Sequence, residues 1–174
     1  MENRYTLAAD SFGAQEIEAA IGVLRSGNYT MGAKVKEFER ALADWAGVKD
    51  AIMVNSGSSA NLLLVDSLMR RLDQAEIKIR PGDEVIVPML SWPTTVWPLV
   101  QLGLVPVFAD IDLDTLAISL DSAEKLITPK TKGMFLIHVL GQAAPMKDYV
   151  EFCRKYGLTL IEDCCESFGA YDQG

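Results

Sequence analysis

Apolar residues recur at helical spacing along Ser11–Arg25, where Ile17, Ile21 and Leu24 share a face, and along Ala33–Ala46, where Val35, Phe38, Leu42 and Trp45 do. Gly27 and Gly47 follow these runs where a helix ends on a left-handed residue. Between them, Gly27-Asn28-Tyr29-Thr30-Met31-Gly32 is a turn rich in groups able to contact a ligand. Beyond residue 50 the pattern changes. Short, nearly all-apolar runs at Ala51–Val54, Glu84–Pro88, Val105–Ala109, Lys132–His138 and Leu158–Glu162 read as strands. The segments Ala60–Leu72, Thr94–Leu102, Asp121–Ile127 and Pro145–Tyr156 read as helices, with Asp121 as a cap and Pro145 in a first turn. Asp73–Asp83 is polar and ends in Pro81-Gly82-Asp83, a surface connection. Strands without a polar face belong to a parallel sheet covered on both sides. The expected fold class is therefore α/β: a mostly parallel sheet with helices on both faces, in a single domain over 1–174, with no internal repeat or linker.

Composition narrows the function. A net charge of −8 argues against a nucleic-acid or anionic-membrane surface, so an anionic ligand must be held by local amides. The three cysteines, two of them adjacent (Cys164, Cys165), do not make a disulfide framework and point to a reducing cytoplasm. The opening MENRYTLAAD lacks the apolar core of a secretory signal. The stretch Val85–Ala109 has no charged residue, but Pro88, Pro93, Pro98 and Pro106 interrupt it. Two buried strands joined by a site-forming loop and a short helix fit it better than a membrane span.

The candidate chemistry centres on Val54–Leu64, VNSGSSANLLL. A strand passing through a Gly/Ser turn into a helix leaves amide N–H groups unpaired at an end carrying about half a positive charge. Gly57 admits an anion to the backbone, and Ser56, Ser58 and Ser59 offer hydroxyls. The segment has neither a Walker lysine nor the GxGxxG spacing of a dinucleotide fold. The plainer alternative is that Ser and Asn merely cap a core helix.

Ligands of such sheets collect at the carboxyl ends of the strands. There the sequence places Asn55–Ser59, Met89–Thr95 with Trp92, Asp110 and Asp112, His138–Gly141, and Asp163–Glu166. A phosphate cradle, a flat aromatic and a carboxylate suit a planar, phosphorylated, cationic heterocycle. Trp92 would stack on its ring and Asp163 would pair with a protonated ring nitrogen. Pyridoxal phosphate (PLP) has that anatomy. Each residue also has an ordinary use: Trp92 as core, Asp163 as the cap of a turn, His138 as a hydrogen-bonded scaffold residue, and the cysteine pair as small buried side chains. A single histidine excludes a His-rich metal site.

The segments LRSGNYTMGAKVKEFE, VNSGSSANLL, DEVIVPMLSWPTTVWPLVQLGLVPVFADID and FCRKYGLTLIEDCCESFGA together resemble the DegT/DnrJ/StrS-type sugar aminotransferases, PLP enzymes of fold type I. The resemblance runs over essentially the whole chain. It implies that Gly57 and Ser58 cradle the cofactor phosphate, that Trp92 stacks on the pyridine ring and that Asp163 pairs with its nitrogen. Glu166 falls where many members carry an amide or imidazole near the phenolic oxygen, and a glutamate departs from that pattern. NSGSSAN followed by PTTV is most similar to the keto-deoxy-sugar 3-dehydratases of lipopolysaccharide biosynthesis. Those relatives use PLP or pyridoxamine phosphate (PMP), with a histidine in place of the Schiff-base lysine.

The resemblance further implies a nucleotide-sugar substrate, a homo-oligomer, and a seven-stranded sheet of which this chain supplies five strands. Two more would lie between Ala51–Val54 and Leu158–Glu162. The deciding lysine or histidine falls some tens of residues beyond IEDCCESFGA, whereas the sequence stops at Gly174. The expectation is therefore the N-terminal part of a large domain, with no catalytic residue of its own and inert alone. The competing expectation is a truncated, non-catalytic protein that folds and self-associates. A nucleotide-binding Rossmann domain lacks its glycine fingerprint.

Overall fold

The computed structural model describes residues 11–70 and 79–172, which divide into two compact units at Met53/Val54. In the first unit, α1 (Ala14–Ser26) and α2 (Ala33–Ala46) form where the apolar spacing placed them. Gly27 (φ 69°) and Gly47 (φ 66°) end them in the left-handed region, where a side chain would meet the carbonyl. Their apolar faces are not a finished core. No residue of α1 is buried, only Ala43 of α2 is, and Ile17, Leu24 and Phe38 are exposed.

The second unit holds α3 (Gly57–Arg70), β1 (Glu84–Pro88), α4 (Pro93–Gln101), β2 (Val105–Ala109), α5 (Leu120–Lys125), β3 (Thr131–Ile137), α6 (Met146–Tyr156) and β4 (Thr159–Asp163). Among the described residues its four strands are all parallel, in the order β2-β1-β3-β4. The pleat divides their side chains between two cores. Ile86, Met134 and Leu136 point to one face and pack with Ala123 of α5 and Tyr149, Phe152 and Cys153 of α6. Val85, Val87, Phe135 and Ile161 point to the other, with Val65 of α3 and Leu99 of α4. A sheet apolar on both faces needs helices on both, which is why its strands read as unbroken apolar runs. Among the described residues no helix is long and apolar enough to cross a membrane.

Three expectations are corrected. Ala51–Val54 is not a strand: among the described residues none lies beside it, and backbone groups become a ladder only against a complementary neighbour. The Met53 amide donates instead to Glu39 Oε1 (2.9 Å). Helix α3 starts at Gly57, not Ala60. Ser56 serves as its cap, its carbonyl accepting the Ala60 N–H (3.0 Å) and its Oγ the Ser59 N–H (3.2 Å). Helix α5 is capped by Ser119, whose Oγ accepts the Ser122 N–H (3.3 Å), and Asp121 lies inside the first turn. The expected end of α3 at Leu72 and most of the Asp73–Asp83 connection lie outside the described residues.

Candidate functional site

The chain passes from β1 to β2 on one side and then to β3 on the other, so the strand order reverses between β1 and β3. A crevice opens at such a switch point, beyond the carboxyl ends of the strands. A cavity of about 590 Å³ lies there. Its walls come from the start of α3 (Gly57, Ser58, Asn61), the segment after β1 (Leu90, Ser91, Trp92, Thr94, Thr95), Leu116, the end of β3 and its loop (Ile137, Val139, Leu140), and the segment from the end of β4 (Asp163, Cys165, Glu166). Gly57, Ser58, Trp92, Asp163 and Glu166, separated by up to 109 positions in sequence, thus line one cavity.

Asp163 is anchored at the base of this wall. Its Oδ1 accepts the Cys165 N–H (3.1 Å), so it does cap the following turn. Its Oδ2 accepts Asn61 Nδ2 (2.9 Å) and Thr95 Oγ1 (3.4 Å). Among the described residues these three bonds and the Cys165 side chain hold the carboxylate in one orientation at the cavity wall. Asn61 and Thr95 are buried, and neither was singled out by the sequence. Asn61 is oriented by a second bond, from Nδ2 to the Thr94 carbonyl (3.4 Å). That carbonyl is open because Pro98, four residues on in α4, has no N–H to offer it. One proline thus frees an acceptor that holds the asparagine, which in turn holds the aspartate.

Trp92 precedes α4 and is 73% exposed, outside both cores of the described residues. At the start of α3 the Gly57 and Ser58 amides have no acceptor among the described residues, and a Cβ at Gly57 would meet open space. Glu166 accepts the Leu140 N–H through Oε2 (2.7 Å). Cys165 stays a thiol: burial first, then Asp163, pushes its pKa up to about 11. Asp110, Asp112 and His138 do not line the cavity. Asp112 instead builds the turn that presents Leu116. Its Oδ1 accepts the Asp114 and Thr115 amides (both 2.9 Å), which holds its carboxyl below the usual range, and its carbonyl accepts the Leu116 N–H (2.8 Å).

His138 is a scaffold residue. It is buried, its Nδ1 accepts the Ala144 N–H (3.1 Å) and its Nε2 faces Glu162 (3.2 Å). Cys164 and then Glu162 raise the imidazole's pKa, to about 9. A protonated Nδ1, however, would set N–H against the Ala144 N–H, so this loop geometry holds the neutral Nε2–H tautomer. Two other features escaped the sequence. Leu116 (φ 57°) and Leu140 (φ 56°) line the cavity in the left-handed region, which costs a residue with a Cβ about 1–2 kcal/mol. No residue-level pattern marks a leucine for that conformation.

A model of the DegT/DnrJ/EryC1/StrS aminotransferase family matches residues 10–174. The chain belongs to this family. It is 39% identical over 166 residues to a GDP-4-keto-6-deoxy-D-mannose 3-dehydratase of Yersinia pseudotuberculosis, covering 95% of this chain and 42% of that protein. Against the lipopolysaccharide biosynthesis protein RfbH of Salmonella typhimurium the identity is 38%, over 93% of this chain and 37% of the relative. The solved Escherichia coli GDP-4-keto-6-deoxy-D-mannose-3-dehydratase, with bound hydrated PLP, superposes with a TM-score of 0.90 at 37% identity, over 98% of this chain and 43% of the other. The chain therefore spans about two fifths of the length of these family members.

Proposed function

We propose that residues 1–174 form the N-terminal part of the large domain of a PLP- or PMP-dependent enzyme acting on a nucleotide-linked keto-sugar, by 3-dehydration or amino transfer, in cell-surface polysaccharide or lipopolysaccharide biosynthesis. The observation that carries this reading is the convergence, in one cavity, of an oriented carboxylate (Asp163), an exposed indole (Trp92) and helix-terminal amides without acceptors among the described residues (Gly57, Ser58). These residues fit the cofactor. The amides of Gly57 and Ser58 would take its phosphate, the Trp92 ring its heterocycle and Asp163 its ring nitrogen. When bound, the cofactor supplies an electron sink for carbon-acid chemistry, and an anionic partner at the ring nitrogen strengthens that sink. The chain's own part is to bind, orient and keep that nitrogen protonated.

A direct test is titration of the 174-residue chain with PLP, followed by absorbance and Trp fluorescence, then borohydride. Saturable binding is expected. No lysine among the described residues lines the cavity, and reduction should leave no stoichiometric pyridoxyl adduct. Absence of saturable uptake would refute the cofactor assignment, and a single modified lysine would refute the non-covalent mode.

We also propose that copies of the chain associate in a reducing cytoplasm. Free thiols at Cys153, Cys164 and Cys165 support that compartment. An outer edge of β4 that pairs with no strand among the described residues supports association, as do the exposed Ile17, Leu24 and Phe38. Sedimentation at micromolar concentration should show a dimer or larger species, and a compact monomer alone would count against it.

A further inference from the structure

We propose that Glu166 is a positioning residue: its carboxylate holds the Val139–Gly141 loop in a left-handed turn that fixes Leu140 in the cavity wall. The inference rests on the cofactor reading above only for what the cavity binds. Leu140 is 78% exposed, so no burial of its side chain fixes its backbone at φ 56° and ψ 26°. What fixes it is the 2.7 Å bond from its N–H to Glu166 Oε2, a charge-assisted contact across 26 residues of sequence. The same loop is gripped on either side. The Gln142 N–H donates to the Val139 carbonyl (3.1 Å), and the Ala144 N–H donates to His138 Nδ1 (3.1 Å). Gly141 (φ 81°) follows in the left-handed region, with the Glu166 carbonyl 3.4 Å from where a Cβ would be.

Glu166 thus holds the loop through its side chain. Its second oxygen, Oε1, accepts no hydrogen bond among the described residues, while the residue itself lines the cavity. A strained residue persists only where its surroundings over-determine it. Here the over-determining group is a carboxylate on the segment that follows Asp163, so the wall and the aspartate share one frame.

The test uses the full 174-residue chain, with amide hydrogen exchange at Leu140 and PLP titration as separate readouts. Glu166→Ala should speed exchange of the Leu140 amide by about tenfold or more, the loss expected for a hydrogen bond to a charged acceptor. Glu166→Gln keeps an acceptor oxygen and should speed it by an intermediate amount, about threefold. PLP affinity should fall in Glu166→Ala and fall less in Glu166→Gln, in step with the Leu140 amide. An unchanged Leu140 amide in Glu166→Ala overturns the proposal. So does a loss of PLP affinity as large in Glu166→Gln as in Glu166→Ala while the Leu140 amide of Glu166→Gln stays protected, since Glu166 would then act on the ligand through its charge. If the amide responds as expected while the unsubstituted chain takes up no PLP, the positioning role stands and the cofactor reading fails.

Discussion

Replacing Asp163 by asparagine is expected to lower PLP affinity about tenfold or more and to destabilise the second unit by about 1–3 kcal/mol. The two losses have separate causes. A neutral amide gives a protonated ring nitrogen no anionic partner, so the charge-assisted bond is lost. The stability loss follows from the donors already in place. The Cys165 N–H faces one carboxylate oxygen and the Asn61 amide faces the other. Whichever way the new asparagine turns, its NH2 meets an N–H. Titration with PLP and urea unfolding, compared with the unsubstituted chain, measure both terms. An unchanged affinity together with an unchanged midpoint would return Asp163 to a purely surface role.

Phe135→Ala should cost about 3–5 kcal/mol, a large share of the roughly 5–15 kcal/mol that holds a domain together. Phe135 is fully buried on β3, between β1 and β4, in the core shared with Val65, Leu99 and Ile161. Removing the ring leaves a cavity where strands on both sides and helices above prevent collapse. Phe108→Ala is the internal control. Phe108 sits on β2, an edge of the described sheet, and is 43% exposed, so much of its ring already meets water. Its loss should be smaller by at least about 1 kcal/mol. Equal shifts in the urea midpoint for the two variants would contradict the assignment of β3 as the central packed strand.

Most of this architecture was legible because it is locally encoded. The extents of β1 and β2 coincide with the apolar runs Glu84–Pro88 and Val105–Ala109, since a strand buried on both faces has no polar position to blur its ends. The bounds of α2 follow from Gly32 and Gly47, which flank the heptad-like spacing of Val35, Phe38, Leu42 and Trp45. The misread elements are those where a short polar side chain competes with the backbone. Ser56 and Ser119 each start a helix earlier than the apolar spacing alone indicated.

The sequence by itself determined the α/β class and the parallel strands, and it singled out Gly57, Ser58, Trp92, Asp163 and Glu166 as candidates, which the structure brings to one cavity. Each follows from hydrophobic period, turn chemistry or a motif spanning a few neighbours. Only the tertiary structure decided what those residues touch. It joined Asn61 to Asp163 across 102 positions, gave Thr94's unpaired carbonyl to Asn61, and turned Leu140 into the left-handed region against Glu166. It also withheld strand pairing from Ala51–Val54, apolar as that run is. The physical reason is common to all four. A hydrogen bond between distant segments, or a strained backbone held by one, depends on which groups the fold leaves without a nearer partner, and no local window of sequence contains that partner.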